Sequence, residues 1–296
     1  MQKPAPVYSV ELVLHPQLDN RYVHFEHASE HPFEPDPAEF APVNVWWLAD
    51  SALLTYWDEQ DATAVFARAG LQSRFLKVGS IDCYVAWSDA FVIVAFRGTE
   101  PDDWEDVLTD AQIALVPWRV GKVHQGFRDA LDRIWPRLEA ELDALAGGRT
   151  VWFCGHSLGA ALATLAAERY AHTRGVCTFG CPRVGDPAFA AAFKAKLGRW
   201  SRRYVNGHDI VTHVPLPPLY RHVDLRRFIS PKGTVSETPP SVLHFFEALF
   251  GRPSQMSDMI VDLDRGAQKT APKFVLDHMP KAYAIWTWND YDGDRE

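Results

Sequence analysis

The run Val151-Trp152-Phe153-Cys154-Gly155-His156-Ser157-Leu158-Gly159-Ala160-Ala161-Leu162-Ala163 passes from an apolar strand, through Gly-x-Ser-x-Gly, into an alanine-rich helix. No other stretch restricts the fold as strongly. A serine held at a sharp strand-to-helix corner takes strained backbone angles, and side chains two positions to either side would collide with the strand and the helix, so both places require glycine. This is the layout of a nucleophile elbow, and it predicts a serine hydrolase with Ser157 as nucleophile.

The flanking pattern agrees with that corner. Val43 to Trp57 is dense in Trp, Leu and Ala and reads as a helix laid against the domain. Phe75 to Val78, Cys83 to Trp87 and Phe91 to Phe96 are β-rich runs, the last two split by a Ser88-Asp89 turn. Phe127, Ala130, Leu131, Ile134, Leu138, Leu142 and Leu145 recur at helical spacing, with Gly147-Gly148 as a stop signal. Strands are expected through Val176 to Phe179 and up to Val205, with a helix from Pro187 to Leu197 between them. Strands alternating with helices predict a mostly parallel central sheet flanked by helices. With 296 residues, 47% of them hydrophobic, one large α/β domain is expected over 1–296, residues 1–42 forming an N-terminal extension.

Composition excludes several partners. The net charge of −8 disfavours nucleic acid and anionic membranes as electrostatically recruited partners, and no stretch is long and apolar enough to span a bilayer. The N-terminus shows no apolar run with a cleavage site, so the chain reads as cytoplasmic, although a mature secreted form would look the same. Cys83, Cys154, Cys177 and Cys181 form no Cys-x-x-Cys pair and read as buried free thiols. His24, His27 and His31 lie in an acidic, proline-rich segment without a helical frame; a solvated surface segment is expected there, and no metal site. The expected chemistry needs neither a metal nor an organic cofactor.

A serine hydroxyl becomes an effective nucleophile when a histidine removes its proton and a carboxylate orients that histidine. In elbow-type hydrolases the order is Ser, then Asp or Glu, then His. Of the twelve histidines this leaves His213, His222, His244 and His278. Asp209 is the preferred acid because it directly follows the strand Arg203-Tyr204-Val205, at the carboxyl edge where catalytic groups gather; Asp224 and Asp277 are rivals. Oxyanion donors are expected from the backbone of Leu158 and from Thr99, after the strand Ala95-Phe96-Arg97-Gly98.

Several separate blocks give the chain a specific resemblance to the class 3 lipases, the family of the filamentous-fungal triacylglycerol lipases. Phe96-Arg97-Gly98-Thr99 followed by Trp104 is similar to the family's oxyanion loop and lid. Val123-His124-Gln125-Gly126-Phe127 resembles its His-x-Gly-Phe helix entry, Pro182-Arg183-Val184-Gly185-Asp186 its Pro-Arg-Val-Gly-Asp block, and Asn206-Gly207-His208-Asp209 its acid loop. The resemblance implies an α/β-hydrolase-type fold, the triad Ser157, Asp209 and His278, and oxyanion donors at Thr99 and Leu158. It implies that His222 is structural, although His222-Val223-Asp224-Leu225-Arg226-Arg227-Phe228 lacks the glycine, glutamate and tryptophan of the family's block. His278 lies in a stretch, Val275 to Tyr283, that resembles the family's C-terminal histidine block.

The segment from Glu100 to Asp110 takes the position of the family's lid, with Trp104, Val107 and Leu108 on one helical face as expected substrate contacts. Its carboxylates predict contact with neutral rather than anionic lipid. Residues 229–272 form an expected insertion between acid and histidine, in which Val242 to Phe250 reads as an apolar helix that walls the acyl pocket, touches lipid or packs in the core. The implied activity is a lipase cleaving lipid carboxylic esters. Small-ester or aryl-ester (feruloyl-type) hydrolysis, phospholipase A1 activity and an inactive interaction scaffold are the alternatives.

Overall fold

The computed structural model describes residues 2–18, 21–98, 114–145, 147–223, 226–237 and 271–293. Its strands are β1 (Gln72–Val78), β2 (Ile81–Trp87), β3 (Phe91–Phe96), β4 (Leu115–Pro117), β5 (Lys122–His124), β6 (Thr150–His156), β7 (Thr173–Phe179), β8 (Ser201–Asn206), β9 (Arg226–Ile229) and β10 (Val235–Ser236). Its helices are α1 (Val10–Leu14), α2 (Pro42–Leu54), α3 (Glu59–Arg68), α4 (Gln125–Leu145), α5 (Leu158–Arg169), α6 (Pro187–Leu197), α7 (Lys273–Leu276) and α8 (Pro280–Gly293).

Phe91-Val92-Ile93-Val94-Ala95-Phe96 contains no polar residue and is buried along its whole length, as a strand covered on both faces must be. It lies inside an eight-stranded sheet of order β1-β2-β3-β6-β7-β8-β9-β10. The pairs from β3 to β9 are parallel, and β1, β2 and β10 add antiparallel edges. This is the mostly parallel α/β-hydrolase-type sheet expected from the sequence. Alternate residues face opposite layers: Trp152 and Cys154 join the core under α2 and α8, while Val151 and Phe153 join the core under α4, α5 and α6.

Helix α4 buries Phe127, Leu131, Ile134, Leu138 and Leu142, the stripe read from its periodicity. Helix α2 differs. It is buried from Val43 to Leu54 without a solvent face, packed between the sheet, α8 and the N-terminal segment, which is why its sequence shows no amphipathic alternation. All four cysteines are free and buried.

Two expectations need correction. The segment carrying His24, His27 and His31 is not a solvated strip, because Phe25, Phe33 and Phe40 around it are buried in the α2 core. Phe33 packs against Phe91 at 4.4 Å and edge-on to Trp152 at 5.5 Å between ring centroids. The segment is pinned by Asp50 of α2, whose carboxylate accepts the Tyr22 hydroxyl at 2.5 Å and the Phe25 backbone N–H at 2.6 Å. Burial raises the Asp50 carboxyl to about 6, against the opposing pull of these two bonds. The aromatics are irregularly spaced among prolines and charges, so no periodic signal marks them. Second, the start of the expected insertion belongs to the sheet: β9 and β10 pair Ile229 with Val235 and Phe228 with Ser236. The apolar stretch Val242 to Phe250 lies outside the described residues.

If the N-terminal segment completes the core, Phe33→Ala should cost about 3 kcal/mol of unfolding free energy in urea titration, as expected for an aromatic truncated in a packed interior. A loss below about 1 kcal/mol would show that this segment is not seated on the sheet.

Candidate active site

Strand β6 ends at His156 and α5 begins at Leu158, leaving Ser157 at φ 58° and ψ −128°. A left-handed φ at a non-glycine residue costs about 1–3 kcal/mol and persists only where the surroundings impose it. They do so here. The Ser157 N–H donates to the Phe179 carbonyl at 3.1 Å, and the Ser157 carbonyl accepts from Ala160 at 3.0 Å. A Cβ on Gly155 would overlap the backbone of Gly159 and Ala160, and one on Gly159 would overlap the backbone of Phe96 and Arg97. The glycine pair therefore lets α5 press onto the ends of two adjacent strands. Leu158 is the first residue of α5, so its N–H has no acceptor within the helix, the geometry in which helix starts bind negative charge.

The acid and the histidine come from distant chain segments. Asp209 follows β8 and His278 lies in the turn between α7 and α8; neither is exposed to solvent. His278 Nδ1 is 2.8 Å from both Asp209 oxygens. A carboxylate accepts and does not donate, so Nδ1 carries the proton and Nε2 is left as the basic nitrogen. Asp209 is held in turn: Oδ1 accepts the Val211 N–H at 3.0 Å, and Oδ2 accepts the Tyr283 hydroxyl. That hydroxyl accepts the Asn206 N–H at 3.1 Å. Burial, followed by the Asp209 charge, pushes the Tyr283 phenol well above its ordinary range, so it stays a donor.

Gly180 makes the meeting possible. It follows β7 at φ +60°, and a Cβ there would lie 2.8 Å from Asp209 Oδ2 and 2.9 Å from His278 Nδ1. No local sequence pattern marks it, because its neighbours at the site lie far along the chain.

The rival residues have other partners. Asp277 Oδ2 accepts the His208 N–H at 2.8 Å, its Oδ1 accepts Lys273, and its backbone carbonyl accepts Asn206 Nδ2 at 2.9 Å. It fastens the histidine turn to the acid loop. His222 Nε2 donates to the Thr212 carbonyl at 2.8 Å, and burial, with Arg203 and Arg183 nearby, keeps its ring neutral. Burial lowers His213 to about 4. Asp224, His244, Thr99, Trp104, Val107 and Leu108 lie outside the described residues. Gly98, the residue before Thr99, sits against the elbow: a Cβ there would be 3.0 Å from the His156 carbonyl and 3.1 Å from Cζ of Tyr56. Arg97 fixes this strand end through its N–H to the Asp82 carbonyl at 3.0 Å and its guanidinium to Asp82 Oδ2 at 3.3 Å. Among the described residues no group of three or more His, Cys, Asp or Glu side chains is placed to hold a metal ion.

Residues 93–218, which contain Ser157 and Asp209, match the family model described as lipase (class 3). A lipase of Rhizomucor miehei is 36% identical over 140 residues, 43% of this chain and 38% of that protein. A secreted mono- and diacylglycerol lipase of Gibberella zeae is 31% identical over 140 residues, 44% of each chain. These matches span well under half the length of either relative. The solved Rhizomucor miehei triacylglyceride lipase superposes with a TM-score of 0.53 at 25% identity, covering 64% of this chain and 80% of that one.

The Asp209–His278 contact predicts a downfield imidazole N–H proton resonance in the wild-type NMR spectrum. Gly180→Ala should abolish it, because the added methyl would press on both side chains at once and drive them apart. Survival of the resonance in a folded Gly180→Ala protein would contradict this geometry.

Proposed function

We propose that this chain, which belongs to the class 3 lipase family, hydrolyses carboxylic esters of lipids through an acyl-enzyme on Ser157. The observation that carries the reading is the buried Asp209–His278 pair, with Nδ1 at 2.8 Å from both carboxylate oxygens, together with a serine held at a strained elbow. In the first half-reaction Ser157 Oγ attacks the ester carbonyl while His278 Nε2 takes its proton. The tetrahedral oxyanion is held by the Leu158 N–H and by Thr99. Collapse breaks the bond to the alcohol, which leaves with the proton from His278. In the second half-reaction water, deprotonated by His278, attacks the acyl-enzyme; the acid is released and Ser157 regains its proton. Asp209 stabilises the imidazolium that forms in each half.

The substrate class rests on the relatives, which are named as lipases acting on triacylglycerides or on mono- and diacylglycerols. The stretch from Glu100 to Asp110 carries Asp and Glu without a Lys or Arg. Such a segment is repelled by anionic lipid surfaces and accepts neutral ester. Trp104, Val107 and Leu108 are its apolar members and the proposed substrate contacts. Among the described residues no helix is long and apolar enough to cross a membrane. The relative from Gibberella zeae is named as a secreted protein, which supports a secreted form over the cytoplasmic one suggested by the N-terminal sequence.

On p-nitrophenyl butyrate and palmitate, Ser157→Ala and His278→Ala should each lose about 10⁴-fold or more in kcat, whereas His222→Ala keeps activity within about tenfold. An inert wild type, or full activity of Ser157→Ala, would contradict the reading. Neutral glyceride emulsions should be hydrolysed faster than anionic phospholipid vesicles; the reverse order would contradict the substrate class.

A further inference from the structure

His156, the second residue of the Gly-x-Ser-x-Gly corner, is 2% exposed and hydrogen-bonded through both ring nitrogens. Nε2 lies 2.8 Å from the backbone carbonyl of His278, and Nδ1 lies 2.8 Å from the hydroxyl of Tyr56. A carbonyl oxygen only accepts, so Nε2 bears the proton. The ring is then neutral with Nδ1 as acceptor, and the Tyr56 hydroxyl is the donor. The two contacts fix a single tautomer.

The same ring lies 4.3 Å, centroid to centroid, from the imidazole of His278, tilted by 37°. We propose, taking His278 as the general base, that His156 is a positioning residue: locked as its Nε2–H tautomer by Tyr56, it holds the backbone and the ring face of His278 for proton exchange with Ser157. The arrangement answers two requirements. Asp209 holds the His278 ring at Nδ1 and Asp277 fastens the turn to the acid loop; the bond from His156 adds a hold on the His278 carbonyl itself. His278 becomes an imidazolium during the attack, and a second cation at this distance in a buried site would oppose that charge. The phenol donating to Nδ1 and the burial of the ring both favour the neutral form of His156 when its neighbour charges. Burial and the proximity of His278 lower its basicity in the same direction.

Tyr56 extends the same support to the oxyanion strand, since its hydroxyl and Cζ border the α-carbon of Gly98. It is 8% exposed and lies just after α2, so the chain of contacts runs from the central core helix through an imidazole to the reacting histidine.

The test is steady-state turnover of p-nitrophenyl butyrate by wild type, Tyr56→Phe, His156→Leu and His156→Gln, with Ser157→Ala in parallel and thermal unfolding measured for each. Glutamine retains an N–H donor near the Nε2 position, and leucine retains only bulk. Positioning predicts a fall in kcat of about tenfold for Tyr56→Phe and about 10²-fold for His156→Leu, with KM within about twofold, and recovery to within about fivefold of wild type in His156→Gln. A filler role instead predicts His156→Leu to be at least as active as His156→Gln, and that result would overturn the proposal, as would a folded Tyr56→Phe with wild-type kcat. The two readings fail separately. If the wild type turns over, Ser157→Ala does not, and the Tyr56 and His156 variants match the wild type, the positioning proposal alone is wrong; if the wild type is inert, the esterase reading falls and takes the proposal with it.

Discussion

The structure depends on one close approach of backbone to backbone. Gly159 brings the first turn of α5 onto Phe96 and Arg97 at the end of β3, and Gly155 lets the same turn lie on the end of β6. With side chains at either place the helix would stand off the sheet, and Ser157 would relax from its left-handed φ. Because the turn is pressed flat, the serine projects at the carboxyl edge, where β3, β6, β7 and β8 all end. That edge supplies Gly98, Phe179, Gly180 and Asp209 within a few residues of their strand termini. A parallel sheet places the open ends of several strands together, and the elbow uses that property.

The histidine is the one component that the sheet does not deliver. It arrives on a turn near the end of the described chain, and its position is set by what surrounds that turn. Asp277 bonds to His208 on the acid loop, and Tyr283, from the first turns of α8, bonds to Asp209. Helix α8 is itself seated on α2, with Trp288 against Trp46 at 4.6 Å between centroids. The N-terminal segment closes the seam, because Lys3 N–H donates to the Asn289 side chain at 2.7 Å and the Lys3 carbonyl accepts from it at 2.9 Å. Aromatic packing far from the serine therefore fixes where the His278 ring lies.

Local signals made much of this legible. The elbow, the apolar strands β2, β3, β6, β7 and β8 and the stripe on α4 follow from residue type and spacing, since each is settled within a few turns of chain. The place of Asp209 directly after a strand favours it over Asp277, whereas His278 is preferred to His222 through the family resemblance alone. In the structure Asp277 accepts the His208 N–H and Lys273, and His222 donates to the Thr212 carbonyl, whereas Asp209 lies against His278 Nδ1. What escaped the sequence is long-range. The positive φ of Gly180 matters only because two side chains from elsewhere converge on it, and Tyr56 is separated from His156 by a hundred residues. Phe25, Phe33 and Phe40 are buried without any period, in a segment whose prolines and charges read as solvated.

The most direct test of the account is the site and rate of reaction with a p-nitrophenyl alkylphosphonate, a neutral ester analogue that stops at the phosphonylated nucleophile. The account predicts one adduct per chain, located by peptide mass spectrometry on Ser157, formed at least about 10³-fold more slowly when His278 is alanine. An adduct on another residue, or labelling of Ser157 at an unchanged rate without His278, would contradict it.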